Sequence, residues 1–92
     1  MLEYLVEFIG TFIFLSVIIV TGNPMAIGLT LAAVIFFGSK VSGGHFNPAV
    51  NVMMFLDNKM STGQLIGQTI AQLLGAVAAY FYYKTMQSEQ LV

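Results

Sequence analysis

Charge and cysteine are what this sequence has least of. Only 8% of its 92 residues are charged, against about 25% in soluble domains, so a water-soluble globular fold is not the expected class. There is no cysteine, which removes disulfide staples, thiolate catalysis and cysteine-held metals. Three Lys+Arg against four Asp+Glu leave no basic patch, so nucleic acid is not an expected partner. One histidine and these few carboxylates leave little material for a metal cluster or an acid–base pair. There is no nucleophile–base pair, metal-ligand set or phosphate loop either. The chain does not read as an enzyme, and no cofactor is implied. What is abundant is apolar: 58% of the residues are hydrophobic. In water a chain this short buries a small core, but in a bilayer it supplies about three spanning helices. The expected class is an all-α, multi-pass integral membrane protein surrounded by lipid.

Three runs fit that class. The first covers residues 2–20. At about 1.5 Å per residue it nearly crosses a hydrocarbon core of about 30 Å. Glu3 and Glu7 stand where a signal peptide would carry cations, so the run reads as a span. Thr21-Gly22-Asn23-Pro24 then reads as a tight turn. A second run covers 25–40 and fades through Gly38, Ser39 and Lys40. Val41 to Phe46 contains two adjacent glycines and breaks the helix. Asn47-Pro48 restarts it, since Asn is a favoured N-cap and Pro fits the first helical position. That restart lasts about nine residues, or roughly 13 Å, half a membrane. Loop and half helix together occupy 42–56. The third span is 62–83. Residues 1–92 read as one domain: two spans, a re-entrant loop with a half helix, and a last span. Odd parity puts the termini on opposite sides.

The half helix is the informative element. Non-helical backbone at membrane depth is tolerated only where protein or water satisfies it. A helix starting there leaves its first amides free and partly positive. Broken helices of this kind line substrate paths in channels and transporters. A surface amphipathic helix would need a charged face, which Val52 to Leu56 does not offer. Asn47 has two jobs available: its oxygen caps the helix while its NH2 donates to a passing water or hydroxyl. The His45 ring reads as a structural, hydrogen-bonded group, with pH modulation left open. Glu7 is a carboxyl inside a span, which is costly and points to function. Thr11 follows four residues later on the same face. Gln64, Gln68 and Gln72 form one polar stripe that either satisfies loop carbonyls or faces a partner helix. Gly67, Ala71 and Gly75 fit close helix approach. Tyr80, Tyr82 and Tyr83 fit lipid-facing or interfacial anchors.

Ser42-Gly43-Gly44-His45-Phe46-Asn47-Pro48-Ala49-Val50 resembles the first signature loop of aquaporins and glycerol facilitators, the major intrinsic protein family. Glu7-Phe8-Ile9-Gly10-Thr11-Phe12 resembles the opening of that family's first helix, and Ile70-Ala71-Gln72-Leu73-Leu74-Gly75-Ala76 resembles part of its third. The resemblance covers nearly the whole chain but only one of the family's two inverted repeats. It implies that the carbonyls of Gly43, Gly44 and His45 line a vestibule. It implies that Glu7, with Thr11 and Gln72, supports the loop through hydrogen bonds. Pro48 and Ala49 would pack the half helix tip to tip against another. The second repeat's half helix is expected from a second, inverted copy of the chain, giving a homodimer and, by the family's pattern, a tetramer of dimers. The constriction would then be formed by Ile27 of one chain facing Ile35, Gly44 and Val50 of the other. Val50 stands where the second repeat carries a filter arginine, so both constrictions would be apolar. Lys40 and Lys59 on one side against Lys84 on the other is a weak orientation bias, as insertion both ways requires.

The expected function is a passive channel for water, small uncharged solutes or both. Two alternatives stand beside it: a small dual-topology proton-coupled exporter using Glu7, and a non-conducting membrane scaffold. A subunit of a heteromer, or a fragment of a longer chain, is the alternative to the inverted homodimer.

Overall fold

A computed structural model describes residues 1–90. The order is α1 (Leu2–Thr21), α2 (Pro24–Ser42), α3 (Pro48–Leu56) and α4 (Thr62–Gln90). No strand occurs among the described residues. α1, α2 and α4 are long and apolar enough to cross a membrane.

Each helix boundary has a local cause. α1 ends at Gly22, whose left-handed φ of 56° lets its N–H return to the Ile18 carbonyl at 3.0 Å. This is a common helix stop. α2 starts on Asn23, whose side chain accepts from Ala26 N–H at 3.0 Å, with Pro24 next. It continues through Val41 and Ser42 and stops at Gly43, where φ is 93° and the N–H reaches the Ser39 carbonyl at 2.9 Å. α3 starts on Asn47 in the same manner, the Ala49 N–H donating to its side-chain oxygen at 2.8 Å. α4 opens with a reciprocal capping pair. Gln64 N–H donates to Ser61 Oγ at 3.1 Å, and Ser61 N–H donates to Gln64 Oε1 at 2.9 Å. Gln64 thus serves the helix start, and its Nε2 also faces a partner helix, donating to Glu3 Oε2 on α1 at 3.4 Å. α4 also runs past Lys84, whose Nζ lies 5.8 Å from the Tyr80 ring centre.

α1 is the middle of the assembly, packed along α4 on one side and α2 on the other, with α3 resting on α4. Glycines set the close approaches. A Cβ at Gly75 would fall 2.8 Å from the Phe8 carbonyl oxygen and 3.1 Å from the Phe12 nitrogen. The α4 backbone thus lies directly on the α1 backbone, and Gly67 likewise makes room for the Tyr4 ring.

The burial pattern is inverted relative to a soluble protein. The largest fully buried side chains are Gln68, Gln72, Glu7 and Asn51. Phe36 and Phe37 on α2, in contrast, are 76% and 81% exposed. Polar groups are buried only when hydrogen-bonded, and a chain that hides its carboxamides while displaying phenylalanine is built for lipid. The chain is an integral membrane protein.

Candidate functional site

The polar interior is organised around Glu7. It is fully buried on α1 and faces the loop between α2 and α3. Its Oε2 accepts from Ser42 Oγ at 2.6 Å and from the His45 N–H at 3.1 Å. Its Oε1 accepts from the Phe46 N–H at 2.8 Å and from Gln72 Nε2 at 2.7 Å. A carboxylate has about four acceptor positions, and these four donors occupy them. The only ion pair among the described residues joins exposed Asp57 and Lys59, so hydrogen bonds alone hold the Glu7 carboxylate. Such bonds are among the stronger ones. They replace the helical partners that the loop backbone lacks.

The rest of the loop is tied down by neighbouring polar groups. Ser42 Oγ accepts from the Gly44 N–H at 3.1 Å. Gln68 Nε2 donates to the Ser42 carbonyl at 3.0 Å. Asn51 is fully buried one turn into α3. Its Nδ2 donates to Gln72 Oε1 at 2.8 Å and to Thr69 Oγ1 at 3.0 Å. Its Oδ1 accepts from Gln72 Nε2 at 3.1 Å and lies 2.8 Å from His45 Nδ1. Phe46 sits in the left-handed region at φ 51°, a conformation uncommon for a bulky residue. Its ring is buried in the space left by Gly10 and Gly38. The loop is thereby anchored from both faces: backbone amides on Glu7, and an aromatic ring between α1 and α2.

Glu7, Gln72, Ser42, Gly44, His45 and Asn51 are thus brought into one connected cluster. Asn47, Pro48 and Ala49 form the exposed tip of α3. The Asn47 oxygen is used in the cap, and its NH2 meets no acceptor among the described residues. The carbonyls of Gly43, Gly44 and His45 likewise receive no donor among those residues. Thr11 is buried beside the tip, and its hydroxyl has no partner among the described residues. It lines a cleft of about 250 Å³ shared with Asn47, Pro48 and Gln72. Gly44 packs against the α2 backbone, where a Cβ would lie 3.5 Å from Ile35 Cα. Ile27 and Ile35 on α2 and Val50 on α3 belong to helices that do not pack on each other within one chain.

Reasoning from sequence gave no role to Asn51, Ser42, Phe46 or Thr69. Asn51 carried a readable signal: it is the one polar residue inside the apolar stretch that follows Pro48, four positions after Asn47 and so on the same helix face. Phe46 carried none, because nothing in its own neighbourhood announces a left-handed residue.

Comparison with known proteins agrees with this architecture. The family model described as Major intrinsic protein matches residues 18–91. The chain is similar to the glycerol uptake facilitator protein-like 6 of Lactiplantibacillus plantarum, 41% identical over 99 residues, covering 96% of this chain and 45% of that protein. It is similar to the lens fiber major intrinsic protein of Gallus gallus, 41% identical over 59 residues, covering 64% of this chain and 22% of that one. It is also similar to the Probable aquaporin PIP-type 7a of Pisum sativum, 31% identical over 101 residues, covering 91% and 35%. The chain spans less than half the length of these curated relatives. No solved structure gives a significant match.

Proposed function

The chain belongs to the major intrinsic protein family, and on that premise we propose that two copies, inverted about a two-fold axis in the membrane plane, form a passive channel for water, small uncharged solutes or both. One observation carries this reading. The chain spends its buried carboxylate and three carboxamides on holding a loop in which the Asn47 NH2 and the carbonyls of Gly43, Gly44 and His45 have no partner among the described residues. Backbone left open at membrane depth is sustainable where it lines a water-filled path. A donor at a helix tip beside a row of acceptors is the pattern that a hydrogen-bonding solute can follow.

In this reading α3 is re-entrant, and its tip meets the tip of the second copy, Pro48 and Ala49 against Pro48 and Ala49. Isologous contact of this kind uses the same patch on both copies. Ile27 of one chain faces Ile35, Gly44 and Val50 of the other across an apolar constriction. The two α3 N-termini add positive potential at the centre, which disfavours cations and protons. A tetramer of such dimers follows the family's pattern. The engagement of Glu7 favours support over proton exchange: it is fully buried, and each of its four neighbours donates to it.

Osmotic shrinkage of proteoliposomes tests conduction. Shrinkage faster than in empty vesicles, without a pH gradient, is the expected result; unchanged shrinkage with well-folded protein rejects the channel. A tag on one terminus tests the arrangement. Accessibility from both sides is expected, whereas labelling from one side alone rejects the inverted homodimer and points to a heteromer or a longer chain as the source of the second half of the pore.

A further inference from the structure

We propose that Glu7, acting through the carboxamides of Gln72 and Asn51, holds His45 as its Nδ1–H tautomer, so that Nε2 stands at the chain surface as a fixed acceptor for an O–H or N–H group of a passing solute. The solute half of this proposal rests on the channel reading; the tautomer does not.

The orientation of each group follows from the one before it. A carboxylate only accepts, and the backbone amides of His45 and Phe46 that point at Glu7 cannot reverse. The Gln72 atom 2.7 Å from Glu7 Oε1 must therefore be the NH2 nitrogen. That turns Gln72 Oε1 toward Asn51, where it accepts from Nδ2 at 2.8 Å. The second proton of Asn51 Nδ2 goes to Thr69 Oγ1 at 3.0 Å, so both its donors are used. Asn51 Oδ1 is then an acceptor, and it lies 2.8 Å from His45 Nδ1. Two bare acceptors do not share such a contact, so Nδ1 carries the proton. A neutral imidazole has only one N–H, which leaves Nε2 bare. Amide orientations are ordinarily a matter of assignment. Here a buried charge at one end dictates them in turn.

His45 is half-buried, and Nε2 is not sealed in the interior. It has no hydrogen-bond partner among the described residues and is not one of the buried unpartnered atoms. A Cβ at Gly43 would fall 3.0 Å from it, so glycine at 43 both adopts the left-handed turn and keeps the ring edge clear. Together with the free carbonyls of Gly43, Gly44 and His45, Nε2 extends an edge made only of acceptors. Water, polyols and amides bring donors to such an edge; aprotic solutes do not.

The chain has one histidine, so nitrogen NMR on imidazole-labelled protein in hydrated lipid reads this site alone. The measurement belongs at pH about 8, above the ordinary imidazole range. A protonated-type Nδ1 and a bare-type Nε2 are expected, the reverse of the tautomer favoured by a free imidazole side chain in water. A dominant Nε2–H form in the unaltered chain overturns the proposal without any variant. The Nε2 shift is expected to be that of a hydrogen-bonded acceptor; the shift of an unbonded nitrogen overturns the acceptor role. Gln72→Met cuts the link to Glu7 and is expected to return the ring to a mixture of tautomers, whereas Thr69→Val leaves the link intact and the tautomer unchanged. An unaltered tautomer in folded Gln72→Met protein would remove Glu7 from the account. Vesicles that hold the Nδ1–H form yet pass no solute would reject the channel and leave the relay standing.

Discussion

Asn23-Pro24 and Asn47-Pro48 start helices in the same way. In each, the Asn oxygen accepts a backbone N–H of the first turn, Ala26 at 3.0 Å and Ala49 at 2.8 Å, and the proline occupies the first helical position. The segments before them differ. The turn before Asn23 is held by its immediate neighbours: Thr21 Oγ1 donates to the Val17 carbonyl at 2.7 Å and accepts from Asn23 N–H at 3.1 Å. The loop before Asn47 is held by Glu7 and Gln68, from helices before and after it in the chain. The first turn needs only its own residues. The second exists because α1 and α4 bring a carboxylate and carboxamides to it. The same dipeptide therefore marks a connector in one place and the candidate site in the other, and what tells them apart is the origin of the supporting groups.

The largest effect should come from removing the long-range support. Glu7→Ala orphans the His45 and Phe46 backbone amides and takes one of two acceptors from Ser42 and from Gln72, which keep the Gly38 carbonyl and Asn51 Oδ1. Buried groups left unpaired cost about 1–3 kcal/mol each, and full additivity is not expected in a shared network. A loss of roughly 3–5 kcal/mol is predicted, read as a collapse of the folded fraction in detergent unfolding. Thr21→Ala, the corresponding cut at the other connector, should cost about 1 kcal/mol. Comparable losses would mean that the two segments are not held differently.

A smaller effect distinguishes the glycines. Gly22 and Gly44 both have positive φ, 56° and 69°. A left-handed L-residue costs roughly 1–2 kcal/mol. A Cβ at Gly22 meets nothing within 4 Å, whereas at Gly44 it would meet Ser39 Cα at 3.3 Å. Gly22→Ala should lose about 1 kcal/mol, and Gly44→Ala roughly 2–3 kcal/mol, since backbone must also move. Denaturant midpoints in one detergent would compare the two directly.

The contrast explains what was legible. Spans, breaks and both caps are local features, so periodicity, Gly-Gly and Asn-Pro mark them in the sequence. Glu7 and the glutamine at 72 also stand out, because a polar group inside a span must be satisfied. What a single strand of text cannot carry is the pairing across it. Asn51 stands out as a lone polar residue in an apolar stretch, but its partners Gln72, Thr69 and His45 are set by the packing of α3 on α4 and by the loop, not by its neighbours in sequence. The end of α2 is similar. Ser39 and Lys40 look like a fading helix, yet the helix continues to Ser42, whose hydroxyl bonds Glu7, the Gly44 N–H and the Gly38 carbonyl. Gln64 does two things that spacing alone does not separate: its oxygen and N–H close the start of α4, while its Nε2 faces Glu3 on α1.

The smallest change in stability gives the sharpest division between the two Asn-Pro pairs. Asn→Ala at a cap costs about 1 kcal/mol, so Asn23→Ala and Asn47→Ala should destabilise by similar amounts. Serine separates capping from donation. Its hydroxyl still accepts a first-turn N–H and ranks with asparagine as a cap, but it has no NH2 to offer a solute. Asn23→Ser should leave both the unfolding midpoint and the vesicle shrinkage rate near those of the unaltered chain. Asn47→Ser should leave the midpoint equally undisturbed while changing the shrinkage rate or the selectivity among water, glycerol and urea. The comparison needs no assumption about the size of the flux, only that it responds at one position and not at the other. If Asn47→Ser conducts as the unaltered chain does, with the same solute preference, the asparagine at 47 does nothing more than the one at 23, and the open NH2 at the α3 tip has no part in transport.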